Sequence, residues 1–285
     1  MTRAHFTTKP SGNASESSLP ITDGWERRRK RSVPDRSEHF QSRRILGMRV
    51  DATSYAETSD AIFDLVAADS GGMVCCATTH MVMECFDDPN LLRKVNSSDR
   101  VTPDGVSLLR ALGALGVKHA TRVYGPLLML ELCARAAASG IPVGFYGGRP
   151  EVVAAVQEKI LELNPDLHIP FAWSPPFRSL SSDEDTRICD VIEVSDALIL
   201  FVGLGCPKQE LWMAAHRDRL SCVMVGVGAG FDFVAESKAQ APGWMQWLGL
   251  EWLFRLASEP RRLWRRYLIG NSRFLYHFLL RGNPS

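Results

Sequence analysis

The stretch DALILFVGLGCPKQELWMAAHRDRLSCVMVGVGAGFDF, residues 196–233, decides the fold. Two continuous apolar runs, ALILFV and VMVGV, flank the segment CPKQELWMAAHRDRL, which follows a helical pattern. Strands that are apolar at every position are typical of a parallel sheet covered on both faces by helices. The stretch therefore predicts a buried strand, a helix and a second buried strand.

The same alternation extends over most of the 285 residues. Strand-like runs at 72–77, 100–103 and 141–147 are each followed by a helical segment. Ordered structure is expected to begin at residues 43–66, RRILGMRVDATSYAETSDAIFDLV, which predict one short strand and then a helix. Near the other end, FDF at 231–233 is expected to be the end of a strand. The pattern predicts an α/β fold: a Rossmann-like, mostly parallel sheet with helices on both faces, over residues 43–248.

A doubly covered parallel sheet binds its ligands at the carboxyl ends of its strands. We therefore expect the binding site among the loops that follow the predicted strands. These loops hold residues 78–80, 103–105, 147–148, 203–209 and 228–232.

The charge is distributed unevenly along the chain. Residues 1–44 carry ten Lys or Arg against five acids, and residues 250–285 carry seven Arg against two Glu, although the net charge is only +1. Residues 1–42 are also rich in Ser, Thr and Pro and poor in large apolar side chains, so we expect a flexible basic arm there. Two basic ends favour an anionic ligand or surface, and nucleic acid is the weaker alternative because no recognition motif is present.

The seven cysteines form no CxxC pair and have no histidine at ligand spacing. We interpret them as reduced core thiols of a cytoplasmic protein. No secretory leader is expected at the N-terminus, and no apolar run reaches the length of a membrane-spanning helix. Any contact with a membrane is therefore expected to be peripheral.

The segment GLEWLFRLASEPRRLWRRY, residues 249–267, predicts a C-terminal basic amphipathic helical appendage over 249–285. Pro260 cannot lie inside a helix, so we expect two helices that meet there. Arg255, Arg262 and Arg266 fall on one side of a helical projection and the leucines and aromatics on another. This composition suits a helix on a membrane surface, a cover that binds a diphosphate, or a solvated face over a packed one.

Candidate catalytic residues are few. Asp104, in TPDGVSLL, either caps the following helix or acts as a general base at the edge of the sheet. The segment GLGCPKQE, residues 203–210, either binds phosphate or sugar oxygens at a helix N-terminus or forms a plain turn. His80 and His216 are interpreted as packing or surface residues, and no P-loop, GxGxxG fingerprint or DxD pair is present.

Eight ordered motifs together resemble the WecG/TagA/CpsF glycosyltransferases, glycosyltransferase family 26. They are TPDGVSLL, RVYGPLLM, GFYGGRPEVV, SPPFRSL, FVGLGCPKQELWM, VGVGAGFDF, APGWMQWLGLEWLFRL and EPRRLWRRY, between about Arg44 and Phe278. The resemblance implies inverting transfer of a hexose or N-acetylhexosamine from a UDP-sugar to a polyprenyl-diphosphate-linked glycan acceptor. It also implies exopolysaccharide or cell-surface polysaccharide biosynthesis at the inner face of the cytoplasmic membrane, with no metal or other cofactor.

The resemblance also implies roles for particular residues. Asp104 matches the family's general base, and Arg122 and Gln209 match polar residues of the pocket. Arg255, Arg262 and Arg265 match arginines that stabilise the nucleotide diphosphate. Guanidinium groups can stabilise a departing UDP without a divalent metal.

The chain departs from the family pattern at two places. The TxN motif falls on Cys76 and Thr78, so the Asn is replaced, and Thr78 or Thr79 is expected to supply a hydroxyl instead. Glu236 and Gln240 stand where relatives often have Gly and Arg before AP. These changes leave a second hypothesis open, a catalytically altered scaffold on the membrane surface. Only the enzyme would release UDP.

Overall fold

The computed structural model describes residues 41–236 and 241–280, apart from the side chains of 246–248. The larger part of the predicted N-terminal arm, residues 1–40, and Gln240 of the altered family motif lie outside the described residues. The predicted division of the remaining chain at residue 248 stays a prediction.

A six-stranded parallel sheet is the centre of the fold. Its strands are β3 (Gly72–Ala77), β4 (Arg100–Pro103), β5 (Val143–Gly147), β6 (Phe171–Trp173), β7 (Ile199–Gly203) and β8 (Val223–Gly226). They lie side by side in the order β4-β3-β8-β7-β5-β6, and every pairing is parallel. The predicted Rossmann-like α/β fold is confirmed.

Helices connect the strands and cover both faces of the sheet. They are α1 (Tyr55–Ala67), α2 (Thr79–Asp87), α3 (Pro89–Asn96), α4 (Val106–Ala114), α5 (Gly125–Ser139), α6 (Pro150–Leu163), α7 (Ser182–Val194), α8 (Lys208–His216) and α9 (Gly230–Val234). Met73 and Cys75 of β3 belong to one buried cluster, and Val74 and Cys76 belong to the other. The continuous apolar strands therefore supply a core to each face.

Two local expectations were wrong. Residues 42–51 form a two-stranded antiparallel hairpin, β1 (Ser42–Ile45) and β2 (Met48–Asp51), rather than one strand. Leu46 and Gly47 both have positive φ, 50° and 88°, which makes the tight turn of a two-residue hairpin. The FDF segment lies in α9 and not at a strand end, because β8 already ends at Gly226 and the chain turns before Gly230.

The part of the chain that the structure describes ends in four short helices, here called the C-terminal helices. They are α10 (Gly243–Leu248), α11 (Glu251–Ser258), α12 (Pro260–Trp264) and α13 (Gly270–Leu280), with a π-helical turn, Arg265–Ile269, between the last two. The predicted break at Pro260 is confirmed, since Pro260 is the first residue of α12. The π-helical turn advances the chain by one extra residue and changes which side chains face inward.

The last helix packs on α2 through both apolar and ionic contacts. Phe274 of α13 is buried, and the ring of His277 lies 4.6 Å from the ring of Phe86. Arg273 donates two hydrogen bonds to the carboxylate of Asp87, at 2.6 and 2.8 Å. These contacts place the C-terminal helices beside the carboxyl ends of β3 and β4.

Candidate active site

A cleft of about 700 Å³, including its open mouth, lies at the carboxyl ends of β3 and β4. One wall consists of residues that follow these two strands, together with Arg122 and Tyr124 before α5. The other wall consists of residues from the C-terminal helices, among them Glu251, Arg255 and Arg266. The cleft thus occupies the position at which a parallel sheet binds its ligands.

Asp104 lies at the base of the cleft, one residue after β4 ends. Its amide donates to the carbonyl of Ala77 at 2.9 Å, which extends the pairing of β3 and β4. Its carboxylate does not cap α4, because the N-cap is Gly105 and no side-chain cap bond is present there. The side chain is 14% exposed, and burial raises its pKa to about 6, against the opposing effect of Arg122. A carboxylate whose pKa lies this near neutrality is suited to general base catalysis.

Arg122 connects Asp104 to the C-terminal helices. Its Nε donates to the backbone carbonyl of Asp104 at 2.5 Å, and its Nη2 lies 3.4 Å from the carboxylate oxygen Oδ1 of the same residue. Nη2 also donates to Oε2 of Glu251 at 2.8 Å. The guanidinium carbon lies 4.4 Å from the centre of the Tyr124 ring, a cation–π contact. The Arg122 guanidinium is therefore fixed by contacts with Asp104, Glu251 and Tyr124.

The N-terminus of α2 opens onto the cleft through Thr78 and Thr79. The Thr78 hydroxyl accepts a hydrogen bond from the amide of Met81 at 3.4 Å and caps the helix, whereas Thr79 begins it. The next residue, His80, also lines the cleft, and burial together with Arg266 lowers its pKa to about 4. His80 is therefore uncharged at neutral pH.

The cationic end of the cleft consists of Arg255 and Arg266. The guanidinium of Arg255 lies 5.0 Å from the centre of the Phe233 ring, and that of Arg266 lies 5.7 Å from the Tyr267 ring. The Nε of Arg266 is buried without a hydrogen-bond partner among the described residues. Within the same part of the chain, no carboxylate forms an ion pair with either arginine. Buried cations are normally paired, so this end of the cleft is complementary to an anion.

Arg262 and Arg265 do not line the cleft. The Arg262 side chain is 57% exposed and forms an ion pair with Glu259. Arg265 is exposed and lies over the Trp264 ring at 5.3 Å. Among the basic residues of the quoted C-terminal segment, the structure brings Arg255 and Arg266 to the cleft and leaves these two on the outer face.

Gln209 lies in the first turn of α8 and is buried against the loop that follows β8. Its Oε1 accepts from the amide of Gly228 at 3.0 Å, and its Nε2 donates to Oε1 of Glu210 at 2.6 Å. Gln209 therefore stabilises a loop beside the sheet edge, and it is not among the residues that line the cleft. In the same motif, the peptide bond between Cys206 and Pro207 is cis.

Sequence reasoning did not identify Glu251 or Tyr124 as site residues. Glu251 lies within the quoted C-terminal segment, four residues before Arg255, and that spacing places both residues on one side of α11. Tyr124 belongs to the motif RVYG and follows Arg122 by two residues. Both residues lie in motifs that the sequence analysis recognised. The sequence does not reveal their roles, because the contact between Glu251 and Arg122 joins residues far apart in the chain.

All seven cysteines are free thiols in the structure. Cys189 lies close to Asp185 and His216, with one potential ligand atom of each residue within 4.8 Å of the others. The His216 ring already bonds to both neighbours that face it: Nδ1 lies 2.7 Å from the carbonyl oxygen of Trp212, and Nε2 lies 2.7 Å from the Asp185 carboxylate. His216 is therefore a buried, hydrogen-bonded packing residue that does not line the cleft.

None of the helices in residues 41–236 and 241–280 has the length and apolar character that a membrane span requires. The outer face of the C-terminal helices nevertheless exposes large apolar side chains, including those of Leu253, Trp264, Leu268 and Ile269.

Comparison with known protein families gives a match over nearly the whole described chain. Residues 43–284 match the model for the glycosyl transferase WecG/TagA/CpsF family. The matched region contains the complete parallel sheet, the cleft and the C-terminal helices. The chain therefore belongs to the WecG/TagA/CpsF family of glycosyltransferases.

Proposed function

We propose that the protein transfers a hexose or N-acetylhexosamine from a UDP-sugar, with inversion, to a polyprenyl-diphosphate-linked glycan. Family membership supports a sugar transferase of cell-surface polysaccharide synthesis, with a sugar donor and a glycan acceptor. The donor, acceptor and stereochemistry are our proposal. The observation that carries it is the polarity of the cleft, which has a buried carboxylate at its base and, at its other end, guanidinium groups that form no ion pair with any residue the structure describes.

In the proposed reaction Asp104 acts as general base. The acceptor hydroxyl oxygen attacks the anomeric carbon, and its proton passes to the Asp104 carboxylate as the new C–O bond forms. The bond between the anomeric carbon and the diphosphate oxygen breaks at the same time, and its electron pair leaves with UDP. Attack opposite the leaving group inverts the anomeric configuration, and a single base is sufficient for this route.

The departing UDP gains negative charge, and we assign its stabilisation to Arg255 and Arg266. Their guanidinium groups have no carboxylate partners in the described part of the chain, so their hydrogen-bond donors are free for phosphate oxygens. The N-terminus of α2, with Thr78 and Thr79, adds a favourable dipole on the opposite wall. We propose that this arrangement replaces a divalent metal.

We propose that the outer face of the C-terminal helices contacts the inner face of the cytoplasmic membrane. Leucine, isoleucine and tryptophan side chains are exposed there beside Arg262 and Arg265. Apolar side chains next to arginines are the composition of an interfacial helix that binds anionic lipid. This role gives Arg262 and Arg265 an anionic partner other than the donor diphosphate that the family resemblance implies.

A panel of UDP-sugars, each assayed with a lipid-diphosphate-linked glycan acceptor, tests the proposal. We expect one donor to give UDP release and a lipid-linked product whose new anomeric centre is inverted, as NMR would show. Retained configuration would contradict the assigned mechanism. Absence of turnover with every donor, combined with normal binding to vesicles, would favour the altered scaffold instead.

A further inference from the structure

Glu251 is the first residue of α11, and its carboxylate reaches a residue 129 positions away in the chain. It accepts a hydrogen bond from Nη2 of Arg122 at 2.8 Å. The Asp104 carboxylate lies 3.4 Å from the same nitrogen. Glu251 is 16% exposed, so its charge is only partly screened by solvent. Two carboxylates thus share one guanidinium, and the contact from the C-terminal helices is the shorter.

Arg122 has contacts that do not involve the Asp104 carboxylate. Its Nε donates to the Asp104 backbone carbonyl, and its guanidinium lies against the Tyr124 ring. Nη2 is the atom that the two carboxylates share, and it lies closer to the Glu251 carboxylate than to that of Asp104.

The other titratable groups around Asp104 are uncharged at neutral pH. Burial raises the pKa of Tyr55, at the start of α1, and of Cys76, in β3, to about 12. Burial also raises the pKa of Tyr124 beyond its usual range. Among charged groups, Arg122 and Glu251 have the largest effects on the pKa of Asp104, and the Gly125 amide adds a hydrogen bond. Their effects on the carboxylate have opposite signs.

We propose that Glu251 is a positioning residue for the general base: it draws the Arg122 guanidinium away from Asp104, so that docking of α11 completes the base. This inference rests on the proposed function, because it assumes that Asp104 accepts the acceptor proton. Without Glu251, Arg122 closes on Asp104 as a simple ion pair, which stabilises the deprotonated carboxylate and makes it a weaker base. The helix that brings Arg255 to the diphosphate thereby also activates the base.

The first test is the pH dependence of sugar transfer in Glu251→Gln, which keeps the shape and removes the charge. We expect the acidic limb of kcat/KM to move to lower pH and the plateau to fall, because the base has become weaker. Glu251→Asp retains a carboxylate and should restore part of the acidic limb toward its original position. An acidic limb in Glu251→Gln that coincides with that of the unmodified protein would overturn the proposal.

Glu259→Gln is the matched control. Glu259 is also a glutamate of the C-terminal region paired with an arginine, Arg262, but it lies outside the cleft. We expect its acidic limb to match that of the unmodified protein. An equal shift in both variants would mean that loss of a carboxylate anywhere on these helices is sufficient, and the positioning role would be wrong.

A second measurement needs no substrate. A carboxyl group whose folded pKa is raised stabilises the fold most at low pH, and this contribution is lost as the pH rises through the folded pKa. We therefore expect the Tm between pH 4.5 and 7.5 to fall more for the unmodified protein than for Asp104→Asn. The same comparison in the Glu251→Gln background should give a smaller difference.

The two measurements separate the inference from the proposed function. If no UDP-sugar is turned over, the proposed function fails, but the Tm comparison still reports whether Glu251 acts on Asp104. A different outcome is that transfer occurs but Asp104→Asn changes the pH dependence of the Tm equally in the unmodified protein and in Glu251→Gln. In that case only the positioning role of Glu251 is overturned.

Discussion

Arg265 and Arg266 are adjacent in the chain, yet their guanidinium groups lie in different environments. Arg266 lines the cleft with its Nε buried, whereas Arg265 is exposed over the Trp264 ring. Both residues lie in the π-helical turn, Arg265–Ile269. A helical projection of the sequence also separates the two and places Arg266 on the side of Arg255.

This division predicts different effects of two neighbouring substitutions on UDP binding. Arg266→Gln removes two or more charge-assisted hydrogen bonds to phosphate and should weaken UDP affinity by roughly ten- to a hundredfold. Arg265→Gln should change the affinity by less than about threefold at the same salt concentration. Isothermal titration calorimetry with UDP checks both, and a larger loss for Arg265→Gln would reverse the assignment.

Asp104→Asn should abolish sugar transfer while UDP binding persists. The amide keeps the size of the side chain but cannot accept the proton of the acceptor hydroxyl, so the rate should fall by roughly 10²- to 10⁴-fold. Turnover and UDP affinity measured on the same preparation separate chemistry from binding. Turnover close to that of the unmodified protein would remove Asp104 from the mechanism.

Gly147→Ala should destabilise the fold strongly. Gly147 has φ +127°, and a Cβ there would lie 2.6 Å from the backbone carbon of Gly203 on the neighbouring strand. Gly113→Ala is the control, because this glycine lies in α4 with no atom within 4 Å of an added Cβ. We expect a loss of about 2 kcal/mol or more in the free energy of unfolding for the first and a gain of about 0.5–1 kcal/mol for the second. Chemical denaturation measures both, and equal effects would contradict the close strand contact.

Substitution of the exposed apolar residues Leu268 and Ile269 by Glu should reduce binding to anionic vesicles. Each change removes apolar surface from the interface and adds a charge that the lipid headgroups repel. Val194→Glu is the control, since Val194 is 82% exposed at the end of α7 and outside the C-terminal helices. Sedimentation with phosphatidylglycerol vesicles at two salt concentrations measures the binding. Equal losses in all three variants would contradict the assigned face.

Most of the sheet could be predicted from the sequence because β3, β5, β7 and β8 contain only apolar residues and glycine. Phe201 and Val225 face one core and Val202 and Met224 the other, so no polar residue interrupts the runs. The hairpin was missed because Leu46 is apolar, and its positive φ is imposed by the turn rather than by its residue type.

The site was predicted less completely than the sheet. Asp104 and Arg122 lie in recognised motifs and the structure brings them together. The contact between Arg122 and Glu251 joins residues that no local periodicity relates. The helical projection agrees with the position of Arg266 in the cleft but not with that of Arg262, which lies outside it. Gln209 is a polar residue in a conspicuous motif, but its side chain is used in hydrogen bonds to Glu210 and Gly228 and does not line the cleft.

Beside the buried Phe274, an ion pair between Asp87 and Arg273 fastens α13 to α2. Both side chains are substantially exposed, at 51% and 41%, and exposed pairs contribute only about 0–1 kcal/mol. Salt weakens this ion pair but not the burial of Phe274. The wall formed by the C-terminal helices therefore depends mainly on apolar packing, and we expect α13 to stay on α2 as the ionic strength rises.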